Sequence, residues 1–157
     1  DFETIAILGW GTDDAQARMD NLLTGYADGT KLDAVLSPND SLALGITNSL
    51  QAAEYTLENF PIITGQDCDV TNTKNIILGY QAMSVFKDTR TLAAQVVKMV
   101  EAILKGEEVP VNDTETYFNG VFVIPSFLCD PVFADKDNYR ELLVDSGYYT
   151  EEQLKVD

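Results

Sequence analysis

The chain has 157 residues, 45% apolar and 23% charged, which is enough for a domain with a full hydrophobic core and too apolar for disorder. Twenty-six acidic residues against ten basic ones leave a formal charge of −16, a field that repels phosphate backbones and argues against a nucleic-acid partner. The sequence contains no histidine, which removes the commonest general base and metal ligand, and with it any histidine-activated serine or cysteine nucleophile within the chain.

Residues 4–10 (TIAILGW) are predicted as a first strand, apolar on both faces as inside a parallel sheet. Asp13 and Asp14 then mark a helix start, and Ala15, Met19, Leu22, Leu23 and Tyr26 share one face of that helix up to Gly25. Residues 32–36 form the second strand, which Pro38 terminates because proline cannot continue a central strand. Ser37, Asn39 and Asp40 are candidate N-caps for the next helix, which carries Leu42, Ile46, Leu50 and Ala53 on one face. Residues 60–64 give the third strand, followed over 69–77 by a short helix that Gly79 closes.

A fourth strand spans 82–86 and ends at Lys87-Asp88. The longest helical pattern follows, with Leu92, Ala93, Val96, Val97, Val100, Ile103 and Leu104 on one wide face and Gly106 and Pro110 beyond its end. Residues 116–125 and 127–133 read as extended, and 137–144 as a last short helix ending near Gly147. Four strand–helix alternations predict an α/β fold, a Rossmann-like parallel sheet flanked by helices. Cys68 and Cys129 lack metal-type spacing, and either a disulfide or two free thiols fits them.

Trp10, Asn39, Asp67 and Lys87 fall at or just past the carboxyl ends of the four predicted strands, the edge where open α/β sheets hold ligands. One indole face, one amide, one carboxylate and one ammonium suit a small neutral polyhydroxyl ligand. The charged and amide groups serve its hydroxyls, and the indole covers the C–H face of a sugar ring. Each also has a plainer role: Trp10 as an ordinary aromatic, Asn39 and Asp67 as helix caps, Lys87 as an exposed charge or an ion-pair partner of Asp67.

Five segments carry a resemblance: WGTDDAQARMDNLL (10–23), AVLSPND (34–40), PIITGQDCD (61–69), SVFKDT (84–89) and VDSGYYTEEQL (144–154). Together they resemble the C-terminal part of type I periplasmic sugar-binding proteins, in the branch of D-xylose-binding and multiple-sugar-binding proteins of ABC importers. By position, Trp10 matches the tryptophan that stacks on the sugar, Asn39 the amide after the second strand, Asp67 the carboxylate of the GQD motif and Lys87 the basic residue of the VYK-like motif. Asp40, Gln66 and Asp69 are second-tier sugar-binding candidates.

The resemblance implies a binding protein with no chemistry and no cofactor, holding an aldose between two lobes. It implies an ABC permease as partner, with a membrane sensor or chemoreceptor as a further one. It also implies a signal-peptide-bearing precursor and an extracytoplasmic location, either periplasmic or as a lipoprotein on the cell surface. Residues 1–87 and 116–157 would form an incomplete C-terminal lobe, and 88–115 a crossover and helix that packs on an N-terminal lobe. The chain is accordingly expected to be a fragment of a longer protein, or one whose partner lobe another molecule supplies, with the apolar face from Leu92 to Leu104 lacking its partner. Two other readings are the sensor domain of a sugar-responsive transcription regulator of the same fold and a receiver-like phosphoacceptor domain. The spacing of Asp40 from Asp13 disfavours the second.

Overall fold

Glycine, proline and cap residues set where the elements stop, and pairing between distant segments sets which apolar runs become strands. A computed structural model describes residues 3–26 and 31–156. In chain order they form a 3-10 turn (Leu8–Trp10), α1 (Thr12–Gly25), β1 (Ala34–Val35), α2 (Asp40–Ala52), β2 (Ile62–Ile63), α3 (Val70–Leu78), β3 (Met83–Phe86), α4 (Thr89–Lys105), β4 (Val132–Asp135), a π-helical turn (Arg140–Asp145) and α5 (Glu151–Leu154). Two compact units result, one holding the residues up to Phe86 together with those from Phe133 onward, the other Lys87–Val132.

In the first unit, β1 and β2 run parallel with Ala34 opposite Ile62 and Val35 opposite Ile63. A parallel bridge between Gln66 and Val85 carries the same direction on to β3, which in turn neighbours β4. Met19 of α1, Ala43 and Leu50 of α2 and Ile63 of β2 form one buried cluster. Burying side chains the size of Leu50 and Ile63 stabilises the unit by about 1.5–3 kcal/mol each. A Cβ on Gly45 would lie 2.2 Å from the Thr12 carbonyl oxygen, so a side chain there would hold α1 and α2 apart. Cys68, Phe86, Ala134, Leu143 and Leu154 form a second buried cluster, against which Tyr148 and Tyr149 pack.

The strand expected over residues 4–10 is not formed: an irregular segment leads into the 3-10 turn, and Leu8 is 87% exposed. An apolar run becomes a strand only where a neighbour takes up its backbone hydrogen bonds, and among the described residues none pairs with this one. The remaining expected strands appear shortened, as β1, β2 and β3. Gly79 and Gly106 close α3 and α4 in the left-handed conformation, with φ of 95° and 68°. The last predicted helix forms as a π-helical turn over Arg140–Asp145. The sequence reading missed α5, although Thr150 and Gln153 make a capping box at its start.

In the second unit, Asp88 caps α4 by accepting from the Arg90 N–H at 2.9 Å. Leu92, Val96, Val97, Val100, Ile103 and Leu104 are exposed along α4, as the sequence led us to expect. The segment after it is less regular than the expected pair of extended runs. Two antiparallel bridges, Asp113 with Ser126 and Phe118 with Val123, fold it back around Gly120.

Candidate functional site

The carboxyl ends of β1 and β2 are tied to each other by short-range geometry around Pro38 and long-range hydrogen bonds. Ser37 Oγ donates to the Asn39 carbonyl at 2.8 Å, curling the chain as it leaves β1. Thr64 Oγ1 donates to the Ser37 carbonyl at 3.1 Å, and the Asp40 N–H donates to the Gln66 carbonyl at 2.8 Å. The Asp67 N–H donates to the Val85 carbonyl at 2.9 Å, which adds β3 to the same edge. Asn39, Asp40, Gln66, Asp67 and Asp69 are thus brought together at the carboxyl edge of parallel strands, where this class of sheet receives ligands.

Asn39 is half-buried, and its Oδ1 accepts from the Leu42 N–H at 3.1 Å, so it caps α2. Asp67 is half-buried with φ of 109°, and Cys68 follows at φ of 55°, two successive non-glycine residues in a region that L-residues avoid. Such conformations cost about 1–3 kcal/mol each and concentrate at ligand-binding and catalytic loops. Asp69 stands ahead of α3 without a side-chain cap bond. Partial burial, and then the charge of Asp67, raise its carboxyl above the ordinary value. Gln66 is half-buried in its bridge to Val85. Trp10, also at positive φ (57°), is 54% exposed on the turn ahead of α1. Lys87 is half-buried and is the first residue of the second unit.

Asp40, a second-tier residue on sequence, turns out to be the polar centre of this edge. Its side chain is fully buried. Oδ1 accepts from Ser84 Oγ at 2.8 Å and Gln81 Nε2 at 3.0 Å, and Oδ2 accepts from the Asp69 N–H at 2.8 Å. Asn72 Nδ2 donates both to the Asp40 carbonyl (2.9 Å) and to Gln81 Oε1 (2.8 Å). Burial pushes the Asp40 carboxyl up to about 6, against the pull of Gln81, Ser84 and the Asp69 amide toward the charged form. The Cys68 N–H donates to Ser84 Oγ at 3.0 Å, and Tyr149 Oη donates to the Cys68 carbonyl at 2.9 Å. Burial raises the Cys68 thiol to about 12, so it stays protonated at neutral pH. Cys68 is buried and Cys129 half-buried, both as free thiols.

Sequence reading passed over Ser84, Gln81, Asn72 and Tyr149. One signal was legible: Ser84 interrupts the apolar run of β3, and a small hydroxyl inside a buried strand needs a partner. Its partner, forty-four positions away, was not legible.

Short parallel strands alternating with helices, with a polar cluster at their carboxyl edge, define an α/β lobe of the type I periplasmic-binding class. The family profile described as periplasmic binding protein domain matches residues 2–108, and the chain belongs to that family. It is 48% identical over 155 residues to the multiple sugar-binding periplasmic receptor ChvE of Rhizobium radiobacter, an alignment covering 98% of this chain and 44% of the relative. It is 34% identical over 146 residues to the D-xylose-binding periplasmic protein of Escherichia coli, covering 93% and 42%. Among solved structures, an ABC transporter solute-binding protein from Clostridium phytofermentans with bound β-D-glucose superposes with a TM-score of 0.90 at 63% identity, covering 99% of this chain and 48% of that one. The chain spans less than half the length of these relatives.

Proposed function

We propose that this chain is one lobe of an extracytoplasmic monosaccharide-binding protein serving an ABC-type importer, with a second lobe completing the cleft. The observation that carries this reading is the 63% identity, over 99% of the chain, to a solute-binding protein that holds β-D-glucose. Relatives named for multiple sugars and for D-xylose support the same ligand class, and their periplasmic names support a location outside the cytoplasm, free or lipid-anchored. In this reading Asp67 and Asn39 take sugar hydroxyls, Lys87 donates to another, and Trp10 covers the apolar face of the ring. Closure of the two lobes around the sugar then presents the form that the permease recognises. The residues of α4 from Leu92 to Leu104 pack on the second lobe, which gives their exposed apolar face a partner.

Glucose is the first ligand to test and xylose the second. Trp10 is the single tryptophan of this chain, and a Trp10→Phe control identifies its share of the fluorescence of the two-lobe protein. Titration of the two-lobe protein with D-glucose and D-xylose is expected to change that emission with micromolar midpoints, whereas this lobe alone responds only at about millimolar sugar or above. Absence of any response by the two-lobe protein to pentoses and hexoses refutes the reading.

A further inference from the structure

Two backbone amides flanking an unfavourable turn are both held, directly or through one hydroxyl, by a single buried carboxylate. The Asp69 N–H donates to Asp40 Oδ2, and the Cys68 N–H donates to Ser84 Oγ, which itself donates to Asp40 Oδ1. Between these amides and the Asp67 N–H, bound to the Val85 carbonyl, the chain passes through φ of 109° at Asp67 and 55° at Cys68. Neither residue is a glycine, so the conformation persists only where surrounding bonds over-determine it. Gln81 Nε2 fixes the carboxylate from a third side, and Asn72 fixes Gln81. The arrangement leaves the carboxylate without solvent contact, while every group bonded to it lies on or beside the Gly65–Asp69 loop or on the strand and helix that flank it.

We propose that Asp40, acting through Ser84 and the Asp69 amide, is a positioning residue that holds the Asp67 turn in its binding geometry and does not itself touch ligand. The proposal rests on the sugar-binding reading for its affinity consequence alone, since the turn and its restraints are properties of this chain. It replaces the expectation that Asp40 is a sugar contact with a role one layer beneath the ligand. Removing Ser84 Oγ releases the Cys68 amide only. Replacing Asp40 by asparagine leaves one acceptor oxygen, so its new amide N–H faces either the Asp69 N–H or the Ser84 and Gln81 donors.

The test compares Asp40→Asn, Ser84→Ala and Leu50→Val, the last a core change in the other buried cluster that lowers stability without touching the loop. Amide proton shifts and hydrogen-exchange protection are read by NMR, and D-glucose affinity by calorimetry, both on the two-lobe protein. In Ser84→Ala the Cys68 amide, and in Asp40→Asn the Cys68 or the Asp69 amide, are expected to move upfield. Each should lose about tenfold or more in protection, while the Thr64 amide on β2 keeps its own. Glucose affinity is expected to fall by about tenfold in Ser84→Ala and further in Asp40→Asn, with Leu50→Val unchanged.

Unmoved amides in both variants overturn the proposal, as does wild-type glucose affinity in Ser84→Ala when its Cys68 amide has moved. An affinity loss no larger than that of Leu50→Val also overturns it. Should Asp40→Asn not fold, Ser84→Ala carries both readouts. If the wild-type two-lobe protein binds no aldose, the sugar reading fails, and the amide measurements alone then uphold or overturn the positioning of the turn.

Discussion

Gly65→Ala is the sharpest test of how this edge is packed. The methyl carbon would sit 2.1 Å from Asp40 Oδ1, 2.4 Å from Gln81 Nε2 and 3.3 Å from Asp40 Cγ. Ordinary carbon contacts begin near about 3.4 Å, so the carboxylate or the loop must retreat by more than about 1 Å. Asp40 has nowhere to go, because it is fully buried and three donors converge on it. Hydrogen bonds to a charged group are worth about 1.5–3 kcal/mol each, and overpacking a filled interior costs about 1–3 kcal/mol. Losing one of the bonds on top of the overpacking therefore predicts a destabilisation of about 2.5–6 kcal/mol, a large part of the ~5–15 kcal/mol by which domains are stable. Gly25→Ala is the control, since nothing among the described residues lies within 4 Å of a Cβ there and the residue ends α1. It is expected to be neutral or to stabilise by up to about 1 kcal/mol. Urea unfolding followed by circular dichroism measures both. If Gly65→Ala unfolds within about 1 kcal/mol of wild type, the tight approach of the loop to Asp40 is refuted.

Three further outcomes follow from the same geometry. The folded-state carboxyl of Asp40 is raised from 3.8 to about 6, so its contribution to stability is fully present below pH 3.8 and is lost as pH rises through about 6. That interval corresponds to about 3 kcal/mol, and the difference in urea midpoint between wild type and Asp40→Asn across pH 4–8 should show the step; a flat difference contradicts it. Asp67→Gly is expected to relieve the positive φ and raise stability by about 1 kcal/mol. In the two-lobe protein the same change, like Asp67→Ala, should cost about 2–4 kcal/mol of glucose affinity by calorimetry, and unchanged affinity would return Asp67 to a purely structural role. A thiol reagent at pH 8 should modify Cys129 and spare the buried Cys68 until urea is added; native labelling at Cys68 would contradict its burial.

What the sequence determined by itself about this protein is mostly local. Gly79 and Gly106 end α3 and α4 because only glycine enters the left-handed region without a Cβ penalty, and that preference needs no tertiary context. Asn39 as the α2 cap, Pro38 as the exit from β1 and the helical faces of α1, α2 and α4 were legible for the same reason: each rests on neighbours within one or two turns. The capping box from Thr150 to Gln153 was equally local and was simply passed over. The motif order along the chain was enough to suggest the family.

Tertiary structure alone decided the rest. Residues 4–10 have the composition of a strand, but a strand needs a partner for its backbone groups, and composition does not supply one. On sequence Asp40 was a candidate N-cap and a second-tier sugar-binding residue. Its partners lie 29, 41 and 44 positions away, and only the folded sheet edge brings Asp69, Gln81 and Ser84 to its two oxygens. Asp67 stood out on sequence as the carboxylate of the loop. That it sits on a turn unfavourable to L-residues, held from beneath by another carboxylate, depends on non-local hydrogen bonds that no periodicity encodes.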